Sequence, residues 1–217
     1  MGWFHPLNNY CERQVTGFWG EPVNALTNLI FIILGIALAL KTKTNRFCFY
    51  LSIQMIVIGI ASLIFHTFAN GLGAVLDILS IIVFGTSYIF AVNLYFLNAG
   101  YFLSFFVAIL LVPFSFVVSF LTVAVFGELN GSSWYISFVI LFLIYAFLLR
   151  EISFQFSRVL IYSTLFFLIS IIFRSIDQAF CNIIPIGTHF IWHIMNGILL
   201  SLLVWSFYRL SDPNLEI

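Results

Sequence analysis

Long apolar segments separated by short polar breaks make up most of the chain. A helix needs about 20 apolar residues to cross the hydrocarbon core of a bilayer, and seven segments approach or exceed that length. Their approximate ranges are 23–40, 47–68, 72–96, 101–126, 134–149, 159–176 and 184–208. Most are apolar on all sides, so periodicity does not separate a core face from a lipid face. The pattern predicts an all-α membrane protein, a bundle of seven transmembrane helices.

The breaks between segments contain residues that end or bend helices. Asparagine and glycine predict turns near positions 69–71, 98–100 and 130–131, and Pro185 is expected to open the last segment. Pro113 lies inside the fourth segment and predicts a kink, because proline lacks an N–H donor and clashes with the preceding turn. The sequence therefore predicts one domain over residues 1–217, with a leader (1–22), a helix bundle (23–208) and a tail (209–217).

Composition supports a lipid environment. Of 217 residues, 63% are hydrophobic and 7% are charged, whereas about a quarter of the residues in a soluble domain are charged. The formal net charge of +0 provides no basic surface for nucleic acid, so no nucleic-acid partner is expected.

Lysine and arginine are unevenly distributed between the two ends of the predicted bundle. Cytoplasmic loops of membrane proteins carry an excess of these residues. The residues on the side of the C-terminus are Lys41, Lys43, Arg46, Arg150, Arg158 and Arg209. Only Arg13 and Arg174 lie on the other side. This bias predicts a cytoplasmic C-terminus and an N-terminus outside the cytoplasm.

The three cysteines fall on both sides of the predicted membrane. Cys11 lies in the leader and Cys181 between the sixth and seventh segments. Both are on the predicted outer side, which can be oxidising, and a disulfide between them would tie the leader across the bundle mouth. The alternative is three unrelated thiols. Cys48 lies near the cytoplasmic side, with no predicted partner.

Ionisable side chains near the spans gather toward the predicted outer side. Those within or at the mouths of the spans are Glu21, His66, Asp77, Arg174, Asp177, His189 and His193. Ionisable residues inside membrane spans are rare and usually functional. The cytoplasmic half of the bundle is nearly empty of charge, so the outer half is where chemistry is expected.

His66 and Asp77 flank the turn between the second and third segments. That turn centres near Asn70, so at 1.5 Å per helical residue the two side chains lie about 6 and 10 Å below it on neighbouring helices. Ser62 precedes His66 by one turn on the same face. The spacing predicts an imidazole, a carboxylate and a hydroxyl in one pocket.

His189 and His193 are four residues apart and therefore share one face of the last helix. Measured from Pro185, they lie at depths similar to those of His66 and Asp77. Three neutral imidazoles with an open fourth position form a catalytic zinc site, and a nearby carboxylate can act as a general base. The substrate of such a buried site would be a lipid.

Other interpretations of these histidines remain open. They are structural core residues, or they hold a structural zinc in a receptor-like or lipid-sensing bundle. A transporter without stoichiometric metal is a third alternative, although an ion path needs polar groups in both halves of the membrane. Retinal would require a lysine in the last segment, and that segment has none.

Several short motifs in this chain match those of a known family in their order and spacing. They are Ser62-Leu63-Ile64-Phe65-His66, Asp77, His189-Phe190-Ile191-Trp192-His193, Tyr10-Cys11-Glu12, and Glu21-Pro22-Val23-Asn24-Ala25-Leu26-Thr27-Asn28-Leu29. Together they resemble the alkaline ceramidases and their bacterial relatives, within the seven-span hydrolase superfamily that includes the adiponectin and progestin-type receptors. The resemblance spans nearly the whole chain.

This resemblance implies a zinc-dependent hydrolase of a lipid amide. The zinc ligands would be His66, His189 and His193. Asp77 would orient or deprotonate the attacking water, and Ser62 would hold the metal site or stabilise the oxyanion. The substrate would be ceramide or another N-acyl lipid, and the products a fatty acid and a sphingoid base or other amine.

The resemblance also implies a disulfide and raises the question of calcium. Cys11 and Cys181 match a disulfide pair of the family. Animal members bind calcium through an acidic leader, of which Glu12 and Glu21 remain here, so Ca²⁺ is a second expected ion. The alternative is that Glu12 pairs with Arg13 and Glu21 bonds backbone groups. The likeness to bacterial members suggests a multi-pass protein of the bacterial inner membrane, or of an ER or Golgi membrane in a eukaryote; the sequence leaves its oligomeric state open.

Overall fold

A computed structural model describes residues 3–15 and 18–211 of the chain. Seven helical spans are long and apolar enough to cross a membrane, which confirms the predicted fold class. The helices are α1 (Pro22–Thr27), α2 (Leu29–Thr42), α3 (Arg46–Phe68), α4 (Gly71–Tyr95), α5 (Gly100–Ile109), α6 (Leu111–Phe126), α7 (Ile136–Leu149), α8 (Phe154–Ser175) and α9 (His189–Ser211). Two 3₁₀ helices cover Leu129–Tyr135 and Asp177–Phe180. Residues 212–217 of the predicted tail lie outside the described residues.

Two of the spans consist of two α-helices each, and the fifth joins the first 3₁₀ helix to α7. The first is divided at Asn28 into α1 and α2, a break that the sequence pattern does not predict. The fourth is divided at Leu110 into α5 and α6. Pro113 explains this second break, because it cannot donate to the carbonyl group of Ile109 and its ring crowds that turn. The predicted kink is therefore present.

The last span begins at His189 rather than near residue 184. Thr188 and His189 donate their backbone N–H groups to Oδ1 of Asp177, at 2.6 and 2.9 Å. This carboxylate satisfies donors that have no partner inside the helix, and it fixes where α9 starts. Pro185 therefore lies in the connection that precedes α9.

The spans form a closed ring. Each span packs against its neighbours in chain order, and α9 returns to contact α2 and α3. One close approach is at Gly59 of α3, where an added Cβ would lie 2.7 Å from the Ile32 side chain and 3.0 Å from the carbonyl oxygen of Asn28. Large apolar side chains such as Phe102 and Phe120 are 86% and 74% exposed on the outside of the ring, as a lipid environment allows.

The leader covers one end of this ring, which we call the leader end. Leu7 donates its backbone N–H to Ala69, and Leu72 donates to Trp3, at 2.7 and 2.9 Å. Cys11 donates its backbone N–H to Oδ2 of Asp177 at 2.9 Å. The leader is thus held against the starts of α4 and α9, directly above the polar residues that the sequence places there.

Candidate metal centre and active site

His66 lies in the last turn of α3 at the leader end. The helix ends at Phe68 because Ala69 adopts the left-handed conformation, with φ of 39°. The His66 side chain is fully buried, and its Nδ1 lies 2.6 Å from Oε2 of Glu21. A carboxylate on one ring nitrogen fixes the tautomer and orientation of a metal-binding histidine. The contact leaves Nε2 of His66 as the nitrogen available to a metal.

His193 is held in a similar way. Its Nδ1 lies 3.0 Å from the hydroxyl oxygen of Thr27. That hydroxyl donates to the carbonyl oxygen of Val23 at 2.8 Å, so it accepts a hydrogen bond from the imidazole. Nε2 of His193 is therefore also left for a metal.

His189 is held by stacking. Its ring lies parallel to that of Tyr10, with centroids 3.8 Å apart and planes 13° apart. Nδ1 of His189 is buried and has no hydrogen-bond partner among the described residues. An unpaired buried polar atom costs about 1–3 kcal/mol. The unpaired Nδ1 is therefore consistent with a His189 ring that binds a group outside the protein chain, such as a metal ion.

The three histidines come together at the leader end. One ring nitrogen of each of His66, His189 and His193 lies within 4.8 Å of the others. A tetrahedral zinc ion with bonds of about 2.0–2.1 Å would hold such nitrogens about 3.4 Å apart, so small side-chain movements suffice. Within the described ranges, they are the only cluster of His, Cys, Asp and Glu side chains close enough to hold a metal.

Asp77 and Ser62 lie beside this cluster. Both line the same cavity as His189 and His193. The Ser62 hydroxyl interacts with the Asp77 carboxylate, and Asp77 interacts electrostatically with His66. The structure thus brings a carboxylate, a hydroxyl and three imidazoles into one pocket.

Two apolar cavities meet at Asp77. The first, with a cavity volume of about 90 Å³, runs inside the ring from the histidines toward Leu203 of α9. The second, of about 330 Å³, lies beside α4 and α6 and is lined by Val112 and Phe116. Asp77, Tyr135 and Arg174 line both. These cavities suit long hydrocarbon chains, with the polar part of a lipid at the histidines.

Comparison with known protein families decides the assignment. The family described as Ceramidase matches residues 7–212. The chain belongs to the ceramidase family. Membership implies a hydrolase that acts on the amide bond of ceramide, which confirms the family and the class of enzyme expected from the motifs. The comparison with curated proteins gave no match.

Glu12 is engaged in a way that does not suit calcium. Its two oxygens accept the backbone N–H groups of Val23 and Asn24, at 2.6 and 2.8 Å. Burial raises the pKa of Glu12, and these two hydrogen bonds oppose that effect. Glu12 therefore caps the first turn of α1, where a carboxylate satisfies free N–H groups.

Glu21 is also engaged through both oxygens. Oε1 lies 2.5 Å from Nε of Arg13, and Oε2 contacts His66. Burial acts to raise the pKa of Glu21, but the hydrogen bonds and charges of His66 and Arg13 outweigh it and hold that pKa below its usual value. Calcium takes six to eight oxygen ligands. The expected calcium site is thus not supported, and Arg13 pairs with Glu21 rather than with Glu12.

Calcium is therefore expected to leave the stability of the protein unchanged. The melting temperature in detergent should be the same with EGTA and with millimolar calcium. Arg13→Gln should lower it by about 6–12 °C, because removing the arginine partner of a buried carboxylate costs about 3 kcal/mol, although His66 would still contact that carboxylate. Arg158→Gln, which changes an exposed arginine, is the control and should have little effect. A rise in the wild-type melting temperature on addition of calcium would contradict this interpretation.

Cys11 and Cys181 are joined by a disulfide, with Cα atoms 5.0 Å apart. The bond ties the leader to the connection between α8 and α9, and Cys48 is a buried free thiol. Thiol labelling of denatured, unreduced protein should detect Cys48 alone, and labelling after reduction should detect all three cysteines. Three reactive thiols before reduction would show that the bond does not form.

Some residues of the site have no role assigned by the sequence pattern. Thr27 and Tyr10 position His193 and His189. Arg13 reaches His66 through Glu21 and also donates to the backbone carbonyl oxygen of His66 at 3.1 Å. Their places depend on how the leader folds over the ring. The only sequence signal was that Tyr10, Glu21 and Thr27 belong to the leader motifs.

Proposed function

We propose that this ceramidase-family protein is a zinc-dependent amidase that works within the membrane. It hydrolyses the amide of ceramide or a related N-acyl lipid, and it releases a fatty acid and a sphingoid base or other amine. One observation carries the proposal: three buried imidazoles converge beside Asp77, where two apolar cavities meet.

The ligand set proposed for zinc is His66, His189 and His193. Three neutral imidazoles and a free fourth position are typical of catalytic rather than structural zinc. Zinc bound there supplies a Lewis acid that polarises a carbonyl oxygen and increases the acidity of water. The carboxylate of Glu21 and the hydroxyl of Thr27 orient two of the three rings.

Asp77 is proposed as the general base. Its carboxylate orients a water molecule and accepts a proton as the oxygen of that water bonds to the amide carbon. The carbon–nitrogen bond then breaks, and the same carboxyl group returns the proton to the leaving amine. Ser62 interacts with Asp77 and so positions this base; contact with the oxyanion is a second role for its hydroxyl.

We further propose that the leader end faces away from the cytoplasm. The basic residues Lys41, Arg46, Arg150 and Arg209 lie at or beyond the opposite ends of their helices, as cytoplasmic residues do. The amide would then be cut near the outer surface of a bacterial inner membrane, or on the luminal side of an ER or Golgi membrane.

An assay of the purified protein tests this function. Detergent-solubilised protein is incubated with ceramide and with other N-palmitoyl lipids, and released palmitate is measured by mass spectrometry. We expect release that depends on the protein and stops when zinc is removed by a chelator. Stoichiometric zinc with no release from any of these lipids would favour the receptor-like alternative.

A further inference from the structure

Arg174 lies between the two cavities and is not part of the proposed hydrolytic machinery. It is the second-last residue of α8, at the leader end. Its side chain lines both cavities, and its charge interacts with that of Asp77. A cation is thus placed next to the point where the scissile amide would lie.

Aromatic side chains surround this guanidinium group. Its carbon lies 5.6, 5.3 and 5.4 Å from the ring centres of Tyr10, Tyr135 and Trp192. One terminal nitrogen donates to the hydroxyl oxygen of Tyr10 at 2.8 Å. The rings fix the position of the side chain, because cations are attracted to aromatic faces.

Arg174 lacks a carboxylate partner within the described part of the chain. No ion pair there within 4.0 Å includes it, and its buried Nε has no hydrogen-bond partner. Nearby Asp177 does not neutralise it, because the oxygens of Asp177 accept backbone N–H groups of the leader and of α9. Arginine stays protonated in proteins, so a cation with an unsatisfied Nε–H lies beside an apolar cavity, and the Asp77 carboxylate acts on it only from beyond ion-pair distance.

The chemistry of a guanidinium group with an unsatisfied Nε donor and no carboxylate in contact identifies its ligand class. Its planar donors match the two oxygens of a carboxylate or a phosphate. Aromatic contacts compensate only part of the cost of burying a charge. A lipid that brings one oxyanion to Arg174 would complete the pairing while its hydrocarbon chain fills the cavity.

We propose that Arg174 binds an oxyanion on the amine side of the scissile amide. This inference rests on the amidase function proposed above and narrows its substrate class. Arg174 is near the membrane surface, where a headgroup lies, whereas the cavity toward Leu203 extends inward for an acyl chain. The preferred substrates are N-acyl lipids with a carboxylate or phosphate close to the amide, ahead of neutral ceramides.

Two matched lipids test this preference. N-palmitoylserine carries a carboxylate next to the amide, and N-palmitoylserinol has a neutral hydroxymethyl group in its place. We expect wild-type kcat/KM to be about tenfold or more higher for N-palmitoylserine. A second pair, N-palmitoyl-phosphoethanolamine and the neutral N-palmitoylethanolamine, repeats the comparison with phosphate in place of carboxylate. The two pairs together show which of the two oxyanions the protein prefers. A wild-type protein that cleaves both neutral lipids as fast as their anionic partners would overturn the proposal.

Arg174→Gln should remove this selectivity. The kcat/KM for N-palmitoylserine should fall about 10–100-fold, and more than for N-palmitoylserinol, since charge-assisted hydrogen bonds contribute that much. Arg174→Lys should restore part of the preference. Arg158→Gln, at an exposed position of the same helix, is the matched control. Equal losses for both lipids in Arg174→Gln would mean that Arg174 is structural.

Two further outcomes are distinguishable. If Arg174→Gln relieves inhibition by added palmitate without changing the preference between substrates, Arg174 binds the released fatty acid and the headgroup proposal fails. If the wild type cleaves none of the lipids, the amidase function fails, and binding then decides the question. Tighter thermal stabilisation by N-palmitoylserine than by N-palmitoylserinol, lost in Arg174→Gln, supports the oxyanion site; equal stabilisation overturns it.

Discussion

Replacing Asp77 with asparagine is expected to lower lipid-amide hydrolysis by about 10²–10⁴-fold, the usual contribution of a general base. Asparagine keeps the shape of the side chain and can still contact Ser62, but it cannot accept a proton from water. The zinc content should stay the same, because none of the three imidazoles changes. Initial rates and zinc content are measured on the same preparations of wild type and Asp77→Asn.

Glu151→Gln is a matched acid-to-amide control. Glu151 is 85% exposed, and its carboxylate contacts only the exposed Arg150, so the change should leave the rate unaltered. If hydrolysis survives Asp77→Asn unchanged, Asp77 is not the base. If zinc and activity are lost together, Asp77 has a structural role in the metal site.

Replacing His193 with alanine is expected to abolish both metal binding and hydrolysis. Loss of a residue that hydrogen-bonds to a metal ligand weakens metal binding about 10–100-fold. Loss of one of the three protein ligands themselves should weaken it more. Zinc content after dialysis against a weak chelator should fall well below that of the wild type. The rate should fall to the background of the assay.

His5→Ala is the matched control for this variant. His5 is exposed in the leader, and its one hydrogen-bond contact among the described residues is between Nδ1 and the carbonyl oxygen of Pro6, at 3.0 Å. Zinc content and rate should match the wild type. A His193→Ala protein that keeps stoichiometric zinc would show that His193 is not a ligand.

Much of the fold follows from sequence because lipid imposes a simple rule. Each span must satisfy its own backbone hydrogen bonds, so seven long apolar segments give seven helical spans. Pro113 identifies the broken fourth span for the same local reason. The start of α9 at His189 depends on the carboxylate of Asp177, which lies more than ten residues earlier, and local patterns do not contain this contact.

For the candidate site too, local spacing predicts some features, and others depend on the folded chain. Spacing gives the depth of His66, Asp77 and His193 along their helices, and depth is sufficient to predict that they share a layer. Spacing does not give the rotation of an evenly apolar helix, nor the path of the leader over it. The pairing of Arg13 with Glu21, and the unsatisfied Nε of Arg174, therefore become visible only in the folded chain.

The metal content of catalytically active protein tests the convergence of His66, His189 and His193 on one ion most directly. Elemental analysis of purified wild-type protein, with palmitate release assayed on the same sample, should find one zinc per chain, and activity should fall in proportion as zinc is removed. Full hydrolytic activity in protein stripped of zinc and of every other transition metal would contradict it.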